Sequence, residues 1–167
     1  MIYSFIIRID NVRSFLREYH VPSDYSLYDF KRFIVSELDF DDSQQSVFHL
    51  LDGNNQKTQS YSLFDLGYGA MDTVTLEDII DNKKTEKLLY TFDFFNDRSL
   101  LIQFLGEVEE LPRVYYPVVF FSKGDAPGQF FQKIDDDIEG RMSVTNNSEE
   151  DDDELFYDEE EEQQFIF

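Results

Sequence analysis

The distribution of charge limits which part of this chain can form a folded domain. Residues 135–167 contain fifteen acidic side chains and one basic side chain, whereas residues 1–134 contain twenty-one acidic and thirteen basic side chains. A segment with so dense a run of like charge cannot bury itself in a core and is expected to stay solvated. We therefore predict one folded domain in residues 1–134, followed by a disordered acidic tail in residues 135–167.

The tail carries apolar side chains that a segment serving only for solubility would not need. Eleven carboxylates lie between positions 149 and 162, and four aromatic residues lie among and after them: Phe156, Tyr157, Phe165 and Phe167. We predict these four as protein-binding residues, because aromatic anchors would supply affinity for a basic partner while the carboxylates steer the encounter. The ending EEEEQQFIF is similar to the acidic, Phe-ended tips of bacterial single-stranded DNA-binding proteins. A solubility tail with incidental aromatics is the alternative.

Composition excludes several classes of function. The formal net charge is −22 and the sequence shows no basic patch, so we do not expect direct binding to nucleic acid. An acidic chain suits a basic protein partner, or mimicry of nucleic acid. The absence of cysteine excludes disulfides and thiolate chemistry. No leader-like or membrane-length apolar segment is present, so we expect a cytoplasmic protein without membrane contact.

Alternating apolar residues predict a fold dominated by strands. The predicted strands are residues 2–9, 15–21, 47–51, 61–64, 88–94, 100–108 and 114–121. The first two form a hairpin across Asp10-Asn11, and the fifth and sixth form another across Asn96-Asp97. Pro117 favours an edge position for the last strand. Residues 52–60 are predicted as a polar loop.

Capping signals predict where helices begin. Ser26 with Asp29, and Thr75 with Asp78, have the spacing of a capping box before apolar residues at helical intervals. A further short helix is predicted in residues 127–138. The order of elements indicates an α+β domain with a mostly antiparallel or mixed sheet, helices on one face and a β-grasp-like ββα opening.

Few residues suggest catalytic chemistry. His20 and His49 are predicted in or beside strands without a third metal ligand, and we interpret both as packing or surface residues. Gly67-Tyr68-Gly69 lacks the further glycine and lysine of a phosphate cradle and is interpreted as a loop. Asp41-Asp42 is expected to face water.

A calcium loop is the best metal candidate, but the pattern is incomplete. From Asp135, carboxylates fall at the first, third and fifth positions and Gly140 at the sixth. Asn146 at the twelfth position cannot supply the bidentate carboxylate. We therefore interpret this cluster as a solvated linker, and we predict no metal and no cofactor.

Several segments together resemble the plasmid pRi ORF-3-like family, small proteins often labelled insertion-element passenger or TnpR-type. The similarity rests on Val21-Pro22, on residues 38–43 (LDFDDS), on residues 75–80 (TLEDII), on residues 89–94 (LYTFDF) and on residues 123–127 (KGDAP). It spans about residues 3–129 and implies a related α+β fold. The family has no established activity, so the resemblance implies none.

The departures from the family pattern concern polar groups. Lys31 and Gln44 stand where the family has histidines, and Arg98 stands where it has tryptophan. Asp93 is retained. We therefore predict a non-enzymatic interaction module without catalytic residues. The alternatives are a nucleic-acid mimic and a metal-dependent enzyme using Asp93 and the Asp135 cluster.

Overall fold

A computed structural model describes residues 1–129 of the chain. These residues form a seven-stranded sheet, one α-helix and a single π-helical turn. The strands are β1 (Ile2–Ile9), β2 (Leu16–Pro22), β3 (Val47–Leu51), β4 (Lys57–Tyr61), β5 (Lys87–Asp93), β6 (Arg98–Val108) and β7 (Val118–Lys123). Helix α1 spans Leu27–Glu37, and the π-helical turn spans Asp78–Asn82. The prediction of an α+β fold dominated by a mostly antiparallel sheet is confirmed.

The strands pair in the order β4-β3-β5-β6-β1-β2-β7, and every pair is antiparallel. The two predicted hairpins are present as β1–β2 and β5–β6. Strand β7 lies at the edge of the sheet, as Pro117 predicted. It begins only at Val118, whereas the strand was predicted from residue 114 with Pro117 inside it. The ββα order of the opening is present as β1, β2 and α1.

The core lies between one face of the sheet and α1. Ser26 caps this helix, because its hydroxyl oxygen accepts a hydrogen bond from the backbone N–H of Asp29 at 3.0 Å. Phe30 in α1 packs on Phe5 in β1 and on Phe48 in β3, with ring centroids 5.4 and 6.0 Å apart. These rings are fully buried, so aromatic packing supplies much of the apolar area that holds the helix on the sheet.

One strand was predicted at the wrong place. Residues 61–64 were expected to form it, whereas β4 is Lys57–Tyr61 and most of its residues come from the predicted polar loop. Asp52 makes this possible, because its carboxylate accepts from the backbone N–H groups of Asn54 and Gln56 and closes a tight turn. As an edge strand, β4 buries only Tyr61, so its sequence carries no alternation of apolar and polar residues.

The second predicted helix is shorter than the sequence suggests. Thr75 and Asp78 do exchange the two hydrogen bonds of a capping box. Lys84 then adopts a positive φ of 55°, and the chain enters β5 at Lys87, so only one π-helical turn fits. Of the predicted helix of residues 127–138, residues 127–129 are not helical and the rest lie outside the described residues. Within residues 1–129, no helix is long and apolar enough to cross a membrane.

Candidate functional site

The turn between β5 and β6 presents two phenylalanines to solvent. Phe94 is half exposed and Phe95 is fully exposed. Asp93 holds the turn, because its Oδ1 accepts from the backbone N–H of Asn96 at 3.3 Å and its Oδ2 accepts from the Asn96 side-chain amide at 2.9 Å. Asp97 completes the turn in the left-handed region, at a φ of 50°. Hydrogen bonds within the turn thus hold its backbone, while the two phenylalanine side chains stay exposed.

Arg98 connects this turn to the rest of the domain. Its guanidinium lies 5.0 Å from the centroid of the Phe92 ring, and its Nη1 lies 3.7 Å from Oδ2 of Asp93. The same nitrogen donates a hydrogen bond to the backbone carbonyl of Gln129 at 3.3 Å. Because a guanidinium can stack on a ring and donate hydrogen bonds at its edge, one side chain joins three parts of the chain.

Gln129 is also bound to the segment that follows α1. Its Oε1 accepts from the backbone N–H of Asp41 at 2.5 Å, and its Nε2 donates to the Asp41 carbonyl oxygen at 3.2 Å. Asp41 itself accepts from Ser43, and the hydrogen bonds from the Ser43 hydroxyl and backbone N–H lower the pKa of its carboxyl. The side-chain amide of Gln129 therefore bonds to both the backbone N–H and the carbonyl oxygen of Asp41, while its own backbone carbonyl accepts from Arg98.

Three stretches far apart in the sequence meet here: residues 38–43, residues 92–98 and residues 123–129. The rings of Phe40 and Phe92 pack between the first two, with centroids 4.9 Å apart. These stretches overlap those on which the family resemblance rests. The structure thus joins at one end of the sheet what the sequence shows as separate motifs.

An ion pair between a buried lysine and an exposed aspartate supports this end of the domain. The Lys31 ammonium on α1 lies 2.9 Å from Oδ1 of Asp42, and the Lys31 side chain is almost fully buried. Its ammonium also lies 5.8 Å from the centroid of the Tyr28 ring. Lys31 stands where the resemblance places a histidine, and here it ties the helix to residues 38–43.

The comparisons with known proteins decide the family. A sequence model described as "Plasmid pRiA4b ORF-3-like protein" matches residues 1–161. The chain belongs to this family. The match extends beyond the residues 3–129 on which the resemblance was based. No curated protein matches the chain.

A solved structure is similar to this member of the pRiA4b ORF-3-like family. It is the crystal structure of MM3350, a protein of unknown function from Methanosarcina mazei Go1. The TM-score is 0.66 at 18% sequence identity, and the alignment covers 99% of this chain and 87% of that chain. At this identity the similarity shows a shared fold.

The histidines of this family member are engaged in packing and hydrogen bonding. His20 stacks on Phe120, and its Nε2 lies 2.9 Å from Oε1 of Glu18. The hydroxyl of Ser4 donates to the same carboxylate oxygen, also at 2.9 Å. Ser4 and His20 therefore both bond to Glu18, whereas a nucleophile–base pair requires a hydrogen bond between the serine and the histidine. His49 bonds to Ser60, and burial lowers its pKa.

An aspartate side chain already occupies the backbone N–H groups of the Gly67-Tyr68-Gly69 loop. The Asp65 carboxylate accepts from the backbone N–H groups of Gly67 at 2.7 Å and Gly69 at 3.0 Å, and these bonds lower its pKa. The N–H groups that a phosphate would need are thus occupied, in agreement with the interpretation as a loop.

Within residues 1–129, no three histidine, aspartate or glutamate side chains are grouped so that they could hold a metal ion. The Asp135 cluster lies outside the described residues. So do the four predicted binding residues, Phe156, Tyr157, Phe165 and Phe167. The turn at Phe94-Phe95 was not predicted as a site, although a Phe-Phe pair between two strands is a sequence signal that could have found it.

Proposed function

We propose that the protein is a non-catalytic interaction module that binds a basic protein partner. The Phe94-Phe95 turn and the acidic tail of residues 135–167 would each contribute contacts to that partner. One observation carries the proposal: a fully exposed Phe95 stands on a turn that Asp93 and Arg98 hold in place. Arg98 also donates a hydrogen bond to the backbone carbonyl of Gln129, which links the turn to the last described residue.

Two exposed phenylalanines on a fixed turn suit protein binding. Because hydrogen bonds hold the turn before binding, its backbone needs little further ordering on association, which lowers the entropic cost. Large aromatic residues bury much apolar area on contact and often act as binding anchors. The tail would add the aromatic anchors Phe156, Tyr157, Phe165 and Phe167. Its carboxylates would raise the association rate with a basic surface.

Asp93 is better explained as a structural residue than as a catalytic one. Both of its carboxylate oxygens accept hydrogen bonds inside the turn, and Oδ2 also faces the Arg98 guanidinium. A metal-dependent enzyme using Asp93 would need at least one of these oxygens for the metal, at the expense of the turn. This supports the interaction module over the catalytic alternative.

The proposal also includes three more detailed predictions from the sequence. They are the division into a domain of residues 1–134 and a tail of residues 135–167, a cytoplasmic location and a β-grasp-like opening. The order β1, β2, α1 supports the last of these. The charge difference between the two parts of the chain supports the division.

Affinity capture from native extract tests the proposal. The full chain is compared with residues 1–145, with the double variant Phe94→Ser/Phe95→Ser, and with Phe64→Ser, at low and moderate salt. Phe64 is a matched control, because it is exposed but lies on another loop. We expect a partner that both the truncation and the double variant lose, that salt weakens, and that Phe64→Ser retains. Equal recovery on all four proteins would refute the proposal.

A further inference from the structure

A cavity of about 410 Å³ lies where the β1–β2 connection meets the end of β7. Its charged lining consists of Arg8, Arg13 and Lys123, with Asp10 as the acidic residue. Leu16 and Leu101 contribute apolar surface. This volume falls in the range of about 300–1,000 Å³ that is usual for small-molecule sites.

The walls of the cavity are held together before any ligand binds. The buried Arg17 donates from Nη1 to the backbone carbonyls of Lys123 and Gly124, each at 2.9 Å, while its Nε bonds to Glu37 at 3.0 Å. Gly124 adopts a φ of +74°, and a Cβ added there would come within 1.9 Å of the Ser14 carbonyl oxygen. The β1–β2 connection and the end of β7 are therefore in close contact, and the cavity between them is preformed.

The charge of the cavity is opposite to that of the chain. Three cationic side chains line it against one carboxylate, in a chain whose formal net charge is −22. Arg8, Arg13 and Lys123 are exposed, and within residues 1–129 none of the three forms an ion pair. Three cations against one carboxylate leave the cavity lining with a local excess of positive charge, which would attract an anion although the chain as a whole is acidic.

We propose that this cavity binds a small organic oxyanion, a phosphate or a carboxylate carried by an apolar body. Guanidinium groups recognise both anions through paired N–H donors, and the lysine ammonium adds a point charge. Leu16 and Leu101 would contact the apolar body. This inference concerns a different surface and a different ligand from the proposed protein interaction, so either can fail without the other.

Titration of the ¹⁵N-labelled full chain at low salt, followed by NMR, tests the cavity. The probes are phenyl phosphate, phenylacetate, inorganic phosphate and phenol. We expect saturable shifts at residues 8–16 and at Lys123 with phenyl phosphate, phenylacetate or both, and the responding probe identifies the anion. Inorganic phosphate should bind more weakly because it lacks the apolar body, and phenol should not bind.

Charge-removing variants give the site its own control. Arg13→Gln and Lys123→Gln should each weaken binding about tenfold, the usual effect of losing a hydrogen bond to a charged group. Arg32→Gln, at an exposed cation on α1, should leave binding unchanged. The proposal is overturned if neither aromatic anion gives saturable shifts at about 1–10 mM. It is equally overturned if Arg32→Gln weakens binding as much as the two cavity variants.

Discussion

The Asp93 carboxylate accepts a hydrogen bond from the side-chain amide of Asn96, 2.9 Å away, across the turn that presents Phe94 and Phe95. The two residues are three positions apart, so the contact is local and needs no distant part of the chain. Arg98 then connects this local motif to Gln129 through a 3.3 Å hydrogen bond. A short-range turn and a long-range contact to Gln129, the last described residue, together hold this end of the domain.

Removing the Asp93 carboxylate should loosen the turn and lower stability. We expect Asp93→Ala to reduce the free energy of unfolding by about 1–2 kcal/mol, because Asn96 loses its acceptors and Arg98 loses its ion pair. Urea unfolding followed by circular dichroism measures the change. Asp72→Ala, at an exposed acid of another loop, should change it by less than about 0.5 kcal/mol. An equal loss in both variants would argue against a role of Asp93 in the turn.

The Lys31–Asp42 ion pair should respond asymmetrically to substitution. Lys31 is 3% exposed and Asp42 is 55% exposed, so removing the aspartate leaves a buried ammonium unpaired, whereas removing the lysine leaves a solvated carboxylate. We expect Asp42→Ala to cost about 2 kcal/mol and Lys31→Met to cost less than about 1 kcal/mol. Urea unfolding of both single variants and the double variant measures these values. A larger cost for Lys31→Met than for Asp42→Ala would contradict this assignment.

Buried tyrosines should make the domain sensitive to alkali. Burial raises the pKa of Tyr90 to about 12 and raises the pKa of Tyr19 further, with a contribution from its hydrogen bond to Glu37. Since the unfolded chain releases these protons near pH 10, stability is unaffected below that pH and falls as pH rises above it.

Each of these tyrosines should lower the free energy of unfolding by about 1.4 kcal/mol per pH unit between about pH 10 and pH 12. Urea unfolding across this range, with tyrosinate absorbance as a second signal, measures the slope. Tyr90→Phe should reduce by about half the part of this slope that comes from Tyr19 and Tyr90 together. The same slope in the wild type and in Tyr90→Phe would exclude Tyr90 as a source.

Gly124 should tolerate no side chain. In Gly124→Ala the new Cβ would meet the Ser14 carbonyl oxygen at a backbone φ of +74°, so the β1–β2 connection and the end of β7 must separate. We expect a loss of about 2–3 kcal/mol in the free energy of unfolding. Gly53→Ala is the control, because an added Cβ there meets no atom within 4 Å. Chemical denaturation with similar costs for both variants would show that the close approach is unimportant.

The sequence predicted the elements that have a capping residue or an apolar alternation of their own. The Ser26–Asp29 spacing located the start of α1, and the apolar alternation located β1 and β2. Strand β4 escaped prediction because an edge strand with little burial carries no periodic pattern. The Thr75–Asp78 box was recognised, but its helix ends after one turn because Lys84 leaves the helical region.

The candidate sites were less accessible to sequence reasoning, since they depend on tertiary contacts. Asp41 and Gln129 are 88 positions apart and meet only because the sheet brings both chain segments to one end. Arg8, Arg13 and Lys123 form no cluster in the sequence, and the pairing of Leu16 in β2 with Lys123 in β7 brings the lysine to the cavity at the β1–β2 connection. Family resemblance did identify the stretches that meet at the β5–β6 turn, although not the reason why they meet.

Site-specific photo-crosslinking tests the central claim most directly. A photoreactive phenylalanine analogue in place of Phe95 is compared with the same analogue in place of Phe64, each in the full chain and in residues 1–145, in native extract. We predict that the analogue at position 95 crosslinks a basic protein, that truncation of the tail abolishes this product, and that the analogue at position 64 does not form it. The absence of a product specific to position 95, or its full retention without the tail, would contradict the account.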